Sequence, residues 1–309
     1  MQEMPGLLAD LEPTVASLID RHMNATKEWF PHELVPYDRA KSFERGQVWS
    51  CGDADLGGAD LTDNVRSALF VNLLTEDNLP FYFRDVEAMF GRETAWGQWG
   101  RRWTAEEGRH AIVIRDYLTV TRAIDPVALE RGRMAQVSGG DSPTPDSPVH
   151  GMVYVTLQEL ATRIAHRNTG KLIGDPVGYE VMARVAADEN LHHLFYRDLT
   201  TKAIERDPST VVIAAEQVVR TFAMPGTGIV DFEKHSARIA DAGIYDLQLH
   251  YEQVLVPVLL RHWAIDKLTG LNDAAEQARD GLLMYVERLG KLAKKLAARR
   301  DRQMMVATA

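Results

Sequence analysis

Apolar residues recur along most of this chain at the three- and four-residue spacing of amphipathic helices, and the strict alternation that is typical of strands is scarce. The periodic segments predict helices at 7–19, 63–89, 94–120, 153–169, 176–204, 210–222, 244–268 and 274–302. Pro257 should kink or interrupt its helix, because proline has no N–H to donate to the preceding turn. The pattern therefore predicts an all-α protein built as a helix bundle.

The clearest predicted loop lies at 138–148, where three prolines and two glycines disfavour a helix. A second irregular connection, rich in glycine and aspartate, is predicted at 52–63. Neither segment is long enough to separate two domains, so we expect a single domain over residues 1–309. The loop at 138–148 divides the chain into halves, and each half carries a similar set of charged residues.

Each half contains a lone glutamate that is followed, at nearly the same distance, by a Glu-x-x-His pattern. The two sets are Glu76, Glu107 and His110, and Glu159, Glu189 and His192. Four carboxylates and two imidazoles in this order are typical of a carboxylate-bridged di-iron or di-manganese centre inside a helix bundle. A single Glu-x-x-His pattern is common by chance. Two of them inside apolar helices favour metal binding, since an unpaired carboxylate would be costly there.

His193 competes with His192 as a ligand, because residues four apart also share a helix face. The first half places its histidine three residues after the glutamate, so the repeat favours His192. An acidic residue precedes each pattern, Glu106 in the first half and Asp188 in the second. Histidine ligands commonly give their second N–H to a carboxylate, so we expect Asp188 to orient His110 and Glu106 to orient His192.

Several stretches of the chain resemble the soluble acyl-[acyl-carrier-protein] desaturases, a family of the ferritin-like superfamily found in plant plastids and actinobacteria. These stretches are WFP at 29–31, TEDNLP at 75–80, WTAEEGRH at 103–110, QELAT at 158–162, ADE with a following histidine at 187–192, and DKLTGL at 266–271. They occur in the same order over most of the chain, and the stretch at 103–110 is the most specific.

The resemblance implies a ferritin-like four-helix bundle core with additional helices. It also implies an oxidoreductase of fatty acid biosynthesis and lipid metabolism, a desaturase that introduces a double bond into a saturated acyl chain carried on acyl carrier protein. The six residues of the two sets would hold two iron ions, and O₂ would be the co-substrate. Ferredoxin as the electron donor and a homodimeric assembly are further implications of the family.

Other positions gain expected roles from the same resemblance. Thr162 matches a threonine that handles O₂ or protons beside the cluster, although a threonine here could equally bond back to a helical carbonyl. Trp29, Trp103 and Asp188 match positions that link the cluster to the surface, and core packing is the competing interpretation of both tryptophans. The family lines its acyl channel beyond the first glutamate, where this chain has Tyr82, Asp85, Ala88 and Met89.

Composition limits the partners and the compartment. The net charge of −9 argues against nucleic-acid binding by bulk electrostatics, and one cysteine allows no intrachain disulfide. No segment is apolar enough for a secretion signal or a membrane span, so a cytoplasmic protein is expected. Acyl carrier protein and ferredoxin are themselves acidic and require a basic patch. The run at 288–302 is one candidate, as are Arg101 and Arg102, although such a run is more often a solvated helix face.

Three alternatives stay open at this point. A di-iron hydroxylase or oxygenase acting on a carrier-bound acyl or related substrate would use the same ligands. An iron store or a radical-generating subunit is less consistent, since Ile114 stands where a radical tyrosine would follow the first pattern, although Tyr196 holds that place after the second. A structural helix bundle without metal would leave the repeated pattern unexplained.

Overall fold

The computed structural model describes residues 6–46, 61–140, 142, 145–226 and 228–307. Within these ranges the secondary structure is helical and contains no strand, which confirms the all-α prediction. The helices are α1 (Gly6–Ala25), α2 (Pro31–Leu34), α3 (Asp63–Glu76), α4 (Leu79–Phe90), α5 (Ala95–Val120), α6 (Pro126–Gly139), α7 (Pro148–Leu172), α8 (Pro176–Arg206), α9 (Pro208–Thr221), α10 (Phe232–Asp241), α11 (Leu247–Leu249) and α12 (Asp273–Ala307). A π-helix at His250–His262 continues α11, and 3₁₀ turns occur at Tyr37–Arg39 and Ile265–Lys267.

The loop predicted at 138–148 lies between α6 and α7. Its residues 141, 143 and 144 lie outside the described residues, as does most of the connection predicted at 52–63. Gly140 ends α6 with a φ of 69°, the left-handed conformation that glycine adopts without steric cost. Pro148 begins α7, where its missing N–H is not needed, and the Ser147 side chain accepts a hydrogen bond from the backbone N–H of His150.

Helices α3 and α4 occupy the segment in which the sequence predicts one helix over 63–89. The break falls at Asp77 and Asn78, directly after Glu76, the last residue of α3. Pro80 lies in the first turn of α4, and it has no N–H for a carbonyl of α3. The missing hydrogen bond disfavours a continuous helix here, and α3 ends at a predicted metal ligand.

The sequence also missed α6 and α10, which bury little. Helix α6 buries Leu129 and Gln136 and has only a weak apolar stripe. Helix α10 is ten residues long, and its apolar residues Phe232 and Ile239 pack against the core while staying partly exposed. The interruption predicted at Pro257 appears as the wider turn of the π-helix. At its end the N–H of Trp263 donates to the carbonyl of Val258, five residues back.

The four helices that carry the predicted ligands form a closed ring of neighbours. Helix α3 contacts α5, α5 contacts α8, α8 contacts α7, and α7 contacts α3. This arrangement is a four-helix bundle, and α1, α4 and α9 pack on its outside.

The predicted ligands interrupt the apolar core midway along the bundle. On α5, Trp96, Trp99 and Trp103 belong to one apolar cluster, and residues 111–118 belong to another. Helix α8 divides in the same way between residues 195–204 and 181–185. A polar layer between two apolar layers is costly unless its groups are paired or bind a cation. The single-domain assignment over residues 1–309 stays a prediction.

Candidate metal centre

The structure brings all six predicted ligand residues together in the bundle interior. These six residues by themselves form two groups of potential ligand atoms, and in each group the atoms lie within 4.8 Å of one another. The first group is Glu76, Glu107, His110 and Glu189, and the second is Glu107, Glu159, Glu189 and His192. Glu107 and Glu189 belong to both groups. This sharing is the geometry that two metal ions bridged by two carboxylates require.

The helices explain why these side chains meet. On α5 and α8 the glutamate and the histidine are three residues apart and share the inward face. Glu76 reaches the same point from the end of α3, and Glu159 reaches it from the middle of α7. All six residues are buried.

Both histidines direct Nδ1 towards the carboxylates. Nδ1 of His192 lies 2.8 Å from Glu107 Oε1 and 3.6 Å from Glu159 Oε2. Nδ1 of His110 lies 3.3 Å from Glu107 Oε2 and 3.5 Å from Glu189 Oε1. Both Nδ1 atoms, together with Glu107 Oε1 and Glu159 Oε2, are buried and have no hydrogen-bond partner among the described residues. Potential metal-ligand atoms that converge without hydrogen-bonding one another fit a bound cation.

The raised pKa values of Glu107 and Glu159 also fit a bound cation. Burial and the neighbouring charges of Glu189 and Glu107 raise the pKa of Glu159 well above its ordinary value. Burial and Glu189 raise the pKa of Glu107 as well. Burial would also raise the pKa of Glu76 and of Glu189, but hydrogen bonds with neighbouring side chains outweigh burial and lower both values. Glu107 and Glu159 therefore resist ionisation unless positive charge is supplied. Oxygen ligands with one imidazole for each metal suit iron or manganese.

The outer nitrogens of the two histidines face carboxylates, in the pairing expected from the sequence. Nε2 of His192 lies 2.9 Å from Glu106 Oε2, and Nε2 of His110 lies 3.4 Å from Asp188 Oδ2. Burial alone would raise the pKa of Glu106, but hydrogen bonds from His192 and His22 outweigh burial and hold that pKa below its ordinary range. An ionised Glu106 can accept the histidine N–H.

Each outer carboxylate is held by further donors. Asp188 Oδ2 accepts hydrogen bonds from Trp29 Nε1 and from Arg109 Nη2, each at 2.9 Å. On the other side, His22 Nε2 lies 2.9 Å from Glu106 Oε2, and Arg102 pairs with Glu106 Oε1. No pattern in the sequence indicated His22, which lies on α1 far from both Glu-x-x-His patterns.

His193 lies outside both groups. Its Nδ1 is 2.9 Å from the carbonyl oxygen of Thr156, and burial lowers the pKa of His193 to about 4. His193 therefore bonds to the backbone of α7, and it is His192 that lies among the other predicted ligands.

His166 is a buried residue beside the cluster that the sequence interpretation missed. Its Nε2 lies 3.2 Å from Glu76 Oε1 and 3.6 Å from Glu189 Oε1. Burial lowers the pKa of His166, but the proximity of Glu189 and Glu76 outweighs burial and raises it to about 9. The available signal was its position seven residues after Glu159, which places both on one face of α7.

Thr162 and Trp103 contact the predicted ligands directly. Thr162 Oγ1 donates to Glu189 Oε2 at 3.0 Å and also lies 3.1 Å from the carbonyl oxygen of Glu159. Trp103 Nε1 donates to Glu159 Oε1 at 3.1 Å. The contact to the helical carbonyl and the contact to the cluster, which were competing interpretations for Thr162, are therefore both present.

A largely apolar cavity adjoins the cluster. Glu76, Glu107, Glu189, Thr162 and His166 line its polar part. Of the four predicted channel residues, Tyr82, Asp85 and Met89 line the cavity. Ala88 differs from the prediction. It is exposed, because its position on α4 turns it away from the face that carries the other three.

A second groove lies near Asp188 on the outside of α7 and α8. Its lining includes the basic residues Lys27, Arg163, Arg167 and Arg184. Glu180 and Asp188 also line the groove, so its basic residues outnumber its acidic ones by four to two. Burial and the charge of Arg167 lower the pKa of Arg163. The other proposed basic sites are partly engaged within the chain. Arg102 pairs with Glu106, Arg101 donates to the carbonyl of Arg92, and Arg300 pairs with Asp246.

Comparisons with known proteins agree on one family. The family model described as fatty acid desaturase matches residues 4–308. DesA1 of Mycobacterium tuberculosis, which carries the name acyl-[acyl-carrier-protein] desaturase, is 39% identical over 308 residues, covering 96% of this chain and 89% of DesA1. The chloroplastic palmitoyl-[acyl-carrier-protein] 4-desaturase of Coriandrum sativum is 27% identical, covering 98% of this chain and 82% of that protein.

A solved structure gives the same result for the fold. The X-ray structure of DesA2 from Mycobacterium tuberculosis has a TM-score of 0.68 and 26% sequence identity to this chain. The match covers 89% of this chain and 99% of that chain. Separately, no helix among the described residues is both long enough and apolar enough to cross a bilayer.

Proposed function

The chain belongs to the fatty acid desaturase family, and on that premise we propose that it introduces a double bond into a saturated acyl chain carried on acyl carrier protein, using O₂ and a di-iron centre. The observation that carries the proposal is the shared lining. Glu76, Glu107 and Glu189 belong to the ligand groups and also line the apolar cavity. A hydrocarbon chain in this cavity would pass directly beside the metals.

Six residues would hold the two iron ions, with Glu107 and Glu189 shared between them. Bound iron would supply the power to oxidise an unactivated C–H bond with O₂, which no side chain has. The protein positions the substrate and excludes water from the cavity. His110 and His192 would keep their outer N–H groups on Asp188 and Glu106, which fixes the tautomer that leaves Nδ1 free.

Thr162 is proposed as the residue that manages protons at the cluster. Its hydroxyl donates to Glu189 and lines the cavity, so it lies between a shared ligand and the substrate space. A hydroxyl can both donate and accept, and it can therefore pass a proton without leaving its place.

The basic groove of Lys27, Arg163, Arg167 and Arg184 is proposed as the docking surface for an acidic electron donor, a ferredoxin. Asp188 lines this groove and contacts His110, so the groove meets the cluster through a single residue. This placement favours the groove over the basic run at 288–302. A homodimeric assembly and a cytoplasmic location are kept as proposals from the family resemblance.

The test of the reaction is reconstitution with ferrous iron, ferredoxin, its reductase and a series of saturated acyl carrier proteins. The expected product is an acyl chain with one double bond, formed only with O₂. Glu189→Gln should lose iron and activity together, while Glu205→Gln, an exposed glutamate on the same helix, should lose neither. A hydroxylated product would favour the alternative oxygenase.

The docking surface is tested by charge reversal. Arg163→Glu with Arg167→Glu should raise the KM for ferredoxin at low salt, and added salt should reduce the difference from the wild type. The matched control is Lys294→Glu with Lys295→Glu on α12. If only the α12 pair changed the KM, ferredoxin would dock there.

A further inference from the structure

His22 ties helix α1 to the carboxylate that supports a predicted metal ligand. Its Nε2 atom lies 2.9 Å from Glu106 Oε2 and 3.2 Å from Glu106 Oε1. Nε2 of His192 lies 2.9 Å from the same Oε2, and the two imidazole rings are stacked with their centroids 5.8 Å apart. Both histidines and Glu106 are buried. One carboxylate therefore joins a predicted ligand on α8 to a histidine that lies outside the four-helix bundle.

The hydrogen bonds of the His22 ring leave it one chemical role. An ionised Glu106 only accepts hydrogen bonds, so Nε2 of His22 must carry the proton and donate it. Nδ1 of His22 is buried and has no hydrogen-bond partner among the described residues. If the ring served only for packing, an apolar side chain would be less costly here, because burying a polar atom without a partner is unfavourable.

The rest of α1 is held by ordinary apolar packing. The helix packs against α5 and α8, and its apolar face between Leu8 and Ile19 is buried in the core. His22 lies in the last turn of α1. Its Nε2 atom therefore stays beside Glu106 only while this end of the helix is docked on the bundle.

We propose that His22 is a positioning residue of the metal site, and that through Glu106 it makes tight iron binding at His192 depend on the docking of α1. This inference rests on the proposed function. Iron bound at Nδ1 of His192 requires one orientation of the ring, which Glu106 fixes from the opposite nitrogen. Without His22 the carboxylate keeps its pair with Arg102 but loses one of the two donors to Oε2. Because such coupling is reciprocal, bound iron should also stabilise the docked position of α1.

The experiment compares two amide side chains that differ by one methylene group. In His22→Gln the amide nitrogen can reach the place of Nε2 and donate to Glu106, whereas the shorter side chain of His22→Asn cannot. Iron titration of the apoprotein should give the glutamine variant an affinity close to that of the wild type. The asparagine variant should bind one of the two irons about tenfold more weakly. Thermal unfolding of the apoproteins verifies folding, and His22→Met, which has no N–H donor, replaces the asparagine variant if that variant does not fold.

Hydrogen exchange of the α1 amides, measured with and without iron, tests the reciprocal effect. Iron should slow this exchange about tenfold in the wild type and in His22→Gln, and much less in His22→Asn. Arg21→Gln is the matched control, since it removes the hydrogen bonds of α1 to Asp198 and to the carbonyl of Leu194 and does not touch Glu106. This control should exchange faster in both states and keep the slowing by iron.

Equal iron affinity in the glutamine and asparagine variants would overturn the inference, because a donor at the place of Nε2 would then make no difference. Exchange in α1 of the wild type that iron leaves unchanged would overturn it as well. A wild type that binds no iron would instead count against the proposed function.

Discussion

The Nε2 atom of His192 on α8 lies 2.9 Å from Oε2 of Glu106 on α5, and the same oxygen lies 2.9 Å from Nε2 of His22 on α1. Glu106 therefore connects a predicted metal ligand to a helix outside the bundle. Because burial is outweighed by these hydrogen bonds, the pKa of Glu106 is lowered and the side chain stays ionised.

Glu106→Gln should weaken iron binding by about 10- to 100-fold, since an amide cannot support the outer N–H of His192 as a carboxylate does. The measurement is an iron titration of the apoprotein, followed by metal analysis. Glu93→Gln, an exposed change of the same kind, is the control. Unchanged iron affinity in Glu106→Gln would remove the orienting role of Glu106.

Asp188→Asn tests the other histidine. The contacts of Asp188 with His110, Trp29 and Arg109 predict both weaker iron binding and slower electron delivery. Turnover with ferredoxin should fall by about tenfold or more. Turnover started by chemical reduction of the iron-loaded protein should fall less. Equal losses under both conditions would assign Asp188 to metal binding alone.

Thr162→Val removes the hydroxyl that donates to Glu189 and keeps the side-chain shape. We expect the iron content to be retained and the yield of alkene per O₂ consumed to fall several-fold, because the cluster loses a nearby proton donor. Thr169→Val is the matched control. That buried threonine on the same helix donates to a backbone carbonyl and contacts none of the predicted ligands. A normal yield in Thr162→Val would reduce Thr162 to a packing residue.

His166→Gln should disturb the iron held by Glu76 more than the iron held by Glu159, since Nε2 of His166 lies 3.2 Å from Glu76. Iron analysis should show partial loss, and Mössbauer spectra should show the two irons becoming less alike. A spectrum identical to that of the wild type would mean that His166 acts only in packing.

His250 predicts a dependence of stability on pH. Burial lowers the pKa of His250 to about 4, below its usual value near 6.5. The unfolded chain therefore binds the proton first, and the stability that is fully present above about pH 6.5 is lost as the pH falls towards 4. The slope from this histidine is about 1.4 kcal/mol per pH unit. Urea unfolding between these pH values should show a shallower slope in His250→Gln, and an unchanged slope would contradict the assignment.

Much of the fold could be predicted from the sequence because apolar spacing directly records which helix faces are buried. The long helices α5, α7, α8 and α12 agree with their predicted spans to within a few residues at most ends. The failures have local causes. Helix α6 buries too little to leave a pattern, and α10 has only ten residues, none of them fully buried. The break between α3 and α4 depends on the backbone requirements of Pro80.

By itself the sequence determined the helical class and the six candidate ligands, since a three-residue spacing fixes which side chains share a helix face. Only the tertiary structure decided which carboxylates are shared, because sharing depends on distances between four helices. It also decided that His166 and His22 join the polar layer, that Ala88 faces away, and that Asp85 lies in the apolar wall. The repeated pattern identifies candidate ligands, whereas the lining of the adjoining cavity consists of residues that only the folded chain brings together.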